Sequence, residues 1–229
     1  MAEVKQPRHR AENDEVVERA KDIWVRYNRP ILIACAAIIV IGGGWLAYKY
    51  LVKEPKEKKA AEAIFKAEEY YRTDSLTKAL KGDGQFPGFE KVISQYGGTD
   101  AGNLAKFYAG AIYLKNGDYA KAVKYLNDFD TDAEQIKARA YKLLADAYAG
   151  EGKNADALSN YKKAAKEFET DEQSSSEYLF MAAYFADRVL NDKKQAIDLY
   201  KELKKKFPQS QYAMDADKYL AQAGVYTAE

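Results

Sequence analysis

Eighteen consecutive uncharged residues, Ile31 to Tyr48, constrain this chain more than any other feature. As an α-helix rising ~1.5 Å per residue they span roughly 27 Å, enough to cross the hydrocarbon core of a bilayer. The run is apolar on every side, whereas a helix packed on a soluble core keeps a polar stripe. Trp24 and Tyr27 lie before it, and Trp45, Tyr48 and Tyr50 close it, as interfacial aromatic belts do. A cleaved signal peptide has a shorter apolar run followed by small residues; here the run ends in Trp45-Leu46-Ala47-Tyr48-Lys49. Leu32-Ile33-Ala34-Cys35 imitates an acylation box, but such a cysteine closes its apolar stretch and Cys35 stands near the start of this one. The run reads as a retained anchor in contact with the lipid bilayer, dividing the chain into an arm (residues 1–29), a span (30–52) and a main domain (53–229).

Charge does not orient the span. Arg19, Lys21, Arg26 and Arg29 precede it and Lys49, Lys53, Lys56, Lys58 and Lys59 follow it, so the positive-inside count is indecisive. The basic run after the span is broken by Glu54 and Glu57 and reads as a solvated helix start near lipid headgroups. Across the whole chain 36 Lys and Arg balance 35 Asp and Glu, interspersed rather than gathered into the basic face of a nucleic-acid binder. Cys35, in the span, is the only cysteine and His9, in the arm, the only histidine. The main domain therefore has no disulfide, no thiolate nucleophile, no Ser-His-Asp triad and no Cys- or His-based metal site. Gly150-Glu151-Gly152-Lys153 matches a phosphate loop only in its last pair, because the glycine required five positions earlier is Ala147. An enzyme is not expected, nor a cofactor.

The main domain has helical periodicity throughout, and it repeats. Gly110, Tyr113, Gly117, Ala122 and Leu126 recur as Ala145, Tyr148, Gly152, Ala157 and Tyr161, each pair 35 residues apart. A period of about 34 residues is that of the tetratricopeptide repeat, a helix-turn-helix whose small residues let its two helices cross closely. Gly117 and Gly152 sit where the backbone must end the first helix of each unit. Tyr141, Leu144 and Ala164 add to the pattern in the second unit. The expected fold is all-α: a single transmembrane helix and then an α-solenoid, with full repeats at about 103–136 and 138–171. A divergent repeat at about 176–209 follows, in which Ala196, Tyr200 and Pro208 fit but Tyr184 falls where a small residue belongs, and a capping helix at 210–223 closes the array. Partial units precede these: a helix over Glu57 to Asp74, the turn-rich Gly82 to Gly88, and a short helix to Tyr96. The segments Tyr96–Ala101 and Phe207–Tyr212 read as equivalent junctions, each introducing a helix.

Stacked helical hairpins curve, and their first helices line a concave face suited to peptides. The repeat pattern places Phe107, Ala111 and Leu114 on that face, then Arg139, Lys142 and Asp146, then Tyr178, Met181, Phe185 and Arg188. Aromatic residues with Met make an adaptable apolar surface. In the arm, Val16, Ala20, Ile23, Trp24 and Tyr27 share one helical face, with Asn13 available as its cap and Pro30 expected to end or bend the helix at the membrane surface. Such a face can lie on lipid or pack against a membrane partner. Within the span, Gly43 and Ala47 form a small-xxx-small pair that permits a close helix approach.

With arm, anchor and repeats together, the chain resembles the YfgM-like family of single-span tetratricopeptide proteins over nearly its whole length. The resemblance is carried by Glu12-Asn-Asp-Glu-Val16, a Gly-rich span ending in Gly44-Trp45, and Gly102-Asn-Leu-Ala105 with Tyr108-Ala-Gly110 at the start of the first full repeat. It implies a bacterial inner-membrane protein with a cytoplasmic amino terminus and periplasmic repeats. It further implies an accessory of the Sec translocon, with the translocon's membrane subunits, a PpiD-like anchored peptidyl-prolyl isomerase, and periplasmic chaperones or emerging polypeptides as partners. An adaptor for cell-wall or outer-membrane assembly is the alternative, since the Phe207-Pro-Gln-Ser junction also suits repeat proteins of that sort.

Overall fold

A computed structural model describes the backbone of residues 9–225 and the side chains of residues 16–225. The chain forms two compact units, Met1–Pro55 and Lys56–Glu229. Among the described residues every regular element is helical, and a lone bridge pairs Gly82 with Pro87.

The first unit is one helix, α1 (His9–Tyr48), followed by a π-helical turn at Lys49–Lys53. Pro30 lies inside α1 and does not end it. A proline there removes one N–H donor, but the helix bonds on either side hold the chain in register. Of the two outcomes expected at Pro30, an end or a bend, the end is absent. Asn13 is likewise inside the helix rather than at its cap; its side chain, like that of every residue before Val16, lies outside the described ones. Ile31 to Tyr48 is exposed along its length, and α1 is long and apolar enough to cross a membrane. A Cβ added at Gly42, Gly43 or Gly44 would meet nothing within 4 Å, so no contact inside this chain calls for those glycines.

The second unit is built from α2 (Glu54–Arg72), α3 (Leu76–Lys81), α4 (Phe89–Tyr96), α5 (Asp100–Lys115), α6 (Tyr119–Asn127), α7 (Glu134–Gly150), α8 (Asn154–Glu167), α9 (Glu172–Arg188), α10 (Lys193–Lys206) and α11 (Gln211–Gln222). Hairpins α5–α6, α7–α8 and α9–α10 pack in sequence, and each first helix begins about a turn earlier than the sequence pattern suggests. Successive first helices touch, α5 with α7 and α9 with α11.

One turn recurs at the heart of three hairpins. Gly117 (φ 78°) and Gly152 (φ 74°) adopt the left-handed conformation that a residue without Cβ adopts at little cost. The N–H of Asp118 then reaches back to the Tyr113 carbonyl, and that of Lys153 to the Tyr148 carbonyl, both at 2.9 Å, closing the helix ends as a Schellman motif does. Asp74 (φ 57°) makes the same turn, with Ser75 N–H on the Tyr70 carbonyl at 2.8 Å. The helices α2 and α3 therefore open a further repeat unit, in which Asp74 stands where glycine is the signal. Five positions beyond each of these turns comes an alanine with no exposed surface, Ala79, Ala122 and Ala157.

The third full hairpin is built with one residue more. Asn191 (φ 54°) takes the left-handed place, and Asp192 N–H bonds to the Ala186 carbonyl, six residues back. That insertion moves Ala183, fully buried, into the position of Gly110 and Ala145, and turns Tyr184 outward. Tyr184 is therefore not a bulky residue at a small-residue position; the register is shifted beneath it. At Gly110 itself a Cβ would come within 2.6 Å of Leu126 Cγ, which measures how closely α5 and α6 cross.

Junctions from second helix to next first helix also share a form. Thr99, Asp171 and Ser210 donate their N–H groups to the carbonyls of Tyr96, Phe168 and Phe207, three residues earlier. Their side chains then accept from the N–H groups of Gly102, Ser174 and Ala213 as N-caps. The two junctions matched in the sequence are thus equivalent in structure, joined by the one at Phe168. The α6–α7 connection differs: Asn103 and Lys106 of α5 reach across to the carbonyls of Asp130 and Asp128 at 2.5 and 2.9 Å.

Two hydrophobic clusters fill the array, one from α2 to α7 around Phe89, Ile112 and Leu144, the other from α7 to α11 around Leu179, Tyr200 and Leu203. Because left-handed backbone costs a residue with Cβ about 1 kcal/mol, opposite outcomes are expected at two turns. Gly152→Ala should lose about 1 kcal/mol and Asn191→Gly should gain a few tenths or more, both read from urea-unfolding midpoints.

Candidate interaction surface

The first-helix face takes its character from residues that the hairpin interiors do not use. On α7, Arg139 is exposed and Lys142 and Asp146 are half-buried one turn apart, paired at 2.8 Å. Asp146 also accepts from the Tyr161 hydroxyl of α8 at 2.5 Å. Burial, and then the Asp146 charge, push the Tyr161 hydroxyl well above the ordinary tyrosine range. On α5, Ala111 and Leu114 are half-buried, the leucine resting on the core.

Two of the aromatic residues expected on this face belong to the interior. Phe107 is 7% exposed and packs on Tyr108 and Phe129, at ring distances of 5.8 and 5.3 Å. Phe185 is also 7% exposed and meets Tyr161 at 5.6 Å. Both back the surface rather than line it. Phe185 is displaced by the extra residue in the α9–α10 turn, which rotates α9 relative to the simple repeat register. Tyr178 turns toward α7, close enough for Arg139 to act on its hydroxyl, although burial pushes that hydroxyl up overall. The outer ridge of α9 runs through Glu177 and Met181, both half-buried, to Tyr184 and Arg188, both exposed; Met181 and Arg188 are in the expected set.

That ridge continues into an aromatic ledge shared with α11. Tyr184 is 44% exposed and meets Tyr219 edge-on at 5.8 Å, while Arg188 lies over the Tyr219 ring at 5.7 Å. Phe180 sits beneath, in ring contact with Tyr184, Tyr200, Tyr212 and Tyr219. The Tyr200 hydroxyl is buried without a hydrogen-bond partner, and burial pushes it upward. A single-helix pattern could not reveal this ledge, because three of its five rings come from α10 and α11.

Clefts lie between the starts of neighbouring first helices. One of about 420 Å3, between α5 and α7, is lined by Asp100, Leu104, Phe129, Asp130, Asp132 and Ile136. Another of about 370 Å3, between α9 and α11, is lined by Glu172, Gln173, Ser176, Ser210 and Tyr212. Each joins apolar and polar groups at the end of the face where the helices begin.

A hydrogen-bonded loop, Gly82 to Gly88, interrupts the second helix of the opening unit. Asp83 accepts from the N–H groups of Gln85 and Phe86 at 3.0 and 2.8 Å and from the Tyr70 hydroxyl at 2.6 Å. These bonds, the Phe86 amide foremost, hold the Asp83 carboxyl down at about 2. The loop thereby holds Phe86 partly exposed, with Lys66 over its ring at 5.9 Å.

Two stretches of the chain, residues 104–131 and 177–210, match the sequence model of the tetratricopeptide repeat. The first covers most of α5–α6, the second most of α9 and all of α10. They flank the α7–α8 hairpin, whose glycine and alanine spacing is the plainer to the eye. With its long apolar first helix and the repeats that follow, the chain is all-helical and carries a protein–protein interaction scaffold. Neither comparison with curated proteins nor comparison with solved structures gives a match.

Two outcomes check this description. Phe107→Ala should cost about 3 kcal/mol of stability, whereas Arg139→Glu should stay within about 0.5 kcal/mol, compared by thermal and urea unfolding. For the loop, a depressed carboxyl stabilises the folded form above the ordinary carboxylate range and loses that contribution as pH falls through its own pKa. The Gln85 and Phe86 amide signals should therefore titrate with a midpoint at about 2, and Tyr70→Phe should raise it.

Proposed function

We propose that this chain is a membrane-anchored scaffold of the Sec translocon. In this reading its repeats stand on the periplasmic side of the inner membrane and its amino terminus in the cytoplasm. There the first-helix face holds a chaperone, an anchored PpiD-like isomerase or the emerging polypeptide. The observation that carries the reading is the pairing of two features in one chain: a fully exposed apolar helix, and a repeat array with a ledge in which Tyr184 and Arg188 are exposed beside the half-buried Met181 and Tyr219. Aromatic and Met side chains adapt to many sequences, which suits a surface that receives different clients. The resemblance to the YfgM-like family supplies the compartment and the machinery. No step of this function requires bond chemistry, so the protein acts by holding partners rather than by turnover.

The test is purification of the full-length protein from native membranes in mild detergent, followed by mass spectrometry. Recovery of the translocon channel with an anchored isomerase is the expected result. Recovery of cell-wall or outer-membrane factors without the channel would replace this reading with the envelope-assembly adaptor. A Tyr184→Glu, Met181→Glu variant should lose the soluble partners and keep those held through the membrane helix.

A further inference from the structure

The second helices carry a groove of their own. It runs between α8 and α10, holds about 540 Å3, and is floored by Ala155, Leu158 and Leu190. Lys162, Lys163 and Lys166 of α8 form one wall. Nearby carboxylates are already engaged: Glu167 with Lys137 at 3.1 Å, Glu151 with Lys153 at 3.0 Å, and Glu169 with Lys206 at 2.6 Å. Among the described residues Lys162 and Lys166 make no ion pair, and Lys163 lies over the Tyr141 ring at 5.7 Å. Lys162 and Lys166, one turn apart, leave two positive charges side by side above an apolar floor.

The opposite side is neutral at Gln195 and, beyond it, carries both signs with carboxylates in excess. The groove continues into a hollow of about 360 Å3 that shares Lys162 and is bordered by Asp192, Asp198 and Glu202, with Lys194 among them and Glu202 paired with Lys206 at 3.3 Å. A molecule that is negative all round, such as a nucleic acid or an anionic bilayer surface, would meet Asp192 and Asp198 as well as the lysines. An occupant with carboxylates on one side only avoids that repulsion. From Ala155 to Lys166 the lined part of α8 runs about 16 Å, three helical turns, which matches the apolar ridge of a short helix laid along a groove.

We infer that the α8–α10 groove is a second docking site, for an amphipathic helix with an apolar ridge, an acidic flank toward α8 and a basic or neutral flank toward α10. The site is separate from the first-helix face and does not depend on the proposed role in secretion.

Three synthetic helical peptides of the same length test it, each with the same leucine ridge and with flanks Glu/Lys, Glu/Glu or Lys/Lys. Binding to the full-length protein in lipid nanodiscs is measured by fluorescence anisotropy, with empty nanodiscs as the blank. The Glu/Lys peptide should bind about tenfold more tightly than the other two, the scale of two exposed charge pairs. Lys162→Glu with Lys166→Glu should transfer that preference to the Lys/Lys peptide. Ser159→Trp, at an exposed position over the groove, should weaken all three, with circular dichroism confirming that both variants remain helical. Equal binding of the three peptides, or a preference that the charge reversal leaves unchanged, would overturn the assignment. Tightest binding of the Glu/Glu peptide, together with Lys-dependent capture of anionic vesicles, would overturn it in favour of a general polyanion surface.

Discussion

The array depends on how each hairpin closes. A residue in the left-handed conformation ends the first helix, the chain reverses within a few residues, and a buried alanine lets the second helix lie against the first. Backbone groups that would otherwise be orphaned at the helix end are satisfied inside the turn. The same closure recurs at Asp74, Gly117 and Gly152, and in a longer form at Asn191. Everything else, from the touching first helices to the grooves between second helices, follows from stacking these closed pairs.

Stacking also decides which side chains are left for partners. Tyr113 bonds to Glu90 and Tyr161 to Asp146, so these rings serve the interior with their hydroxyls satisfied by carboxylates. Phe89 and Tyr108 stack at 5.0 Å and seal the contact between α2, α4 and α5. What remains open is uneven: charged on α7, aromatic on α9 and α11, mixed polar and apolar where the first helices begin. A surface that changes character along its length can recognise an extended partner in a fixed direction, because each section offers a different chemistry.

The sequence made α5 to α8 legible because two glycines at a 35-residue spacing mark both turns. The opening unit was harder to see, since Asp74 replaces glycine and the Gly82–Gly88 loop divides its second helix. In the third hairpin the left-handed residue is Asn191, and the extra residue before it shifts α9 by one position; Phe185 then falls inside and Tyr184 outside. Phe107 shows a different limit. A surface position in a helical pattern is still buried when a neighbouring connection, here the one carrying Phe129, folds over it. Pro30 reads as a boundary because of its missing donor, yet one lost bond does not break a helix with long regular stretches on both sides.

Helix α7 belongs to both hydrophobic clusters: Leu144 and Ala147 face the one shared with α2 to α6, and Ala145 the one shared with α8 to α11. In a stack of repeats the joint between halves is the natural place for melting to stop. Here that joint is a single continuous helix, so neither half can loosen without withdrawing a wall from the other. Loosening of either half therefore weakens the packing of the other, and α7 is the element through which the two halves of the repeat domain are coupled.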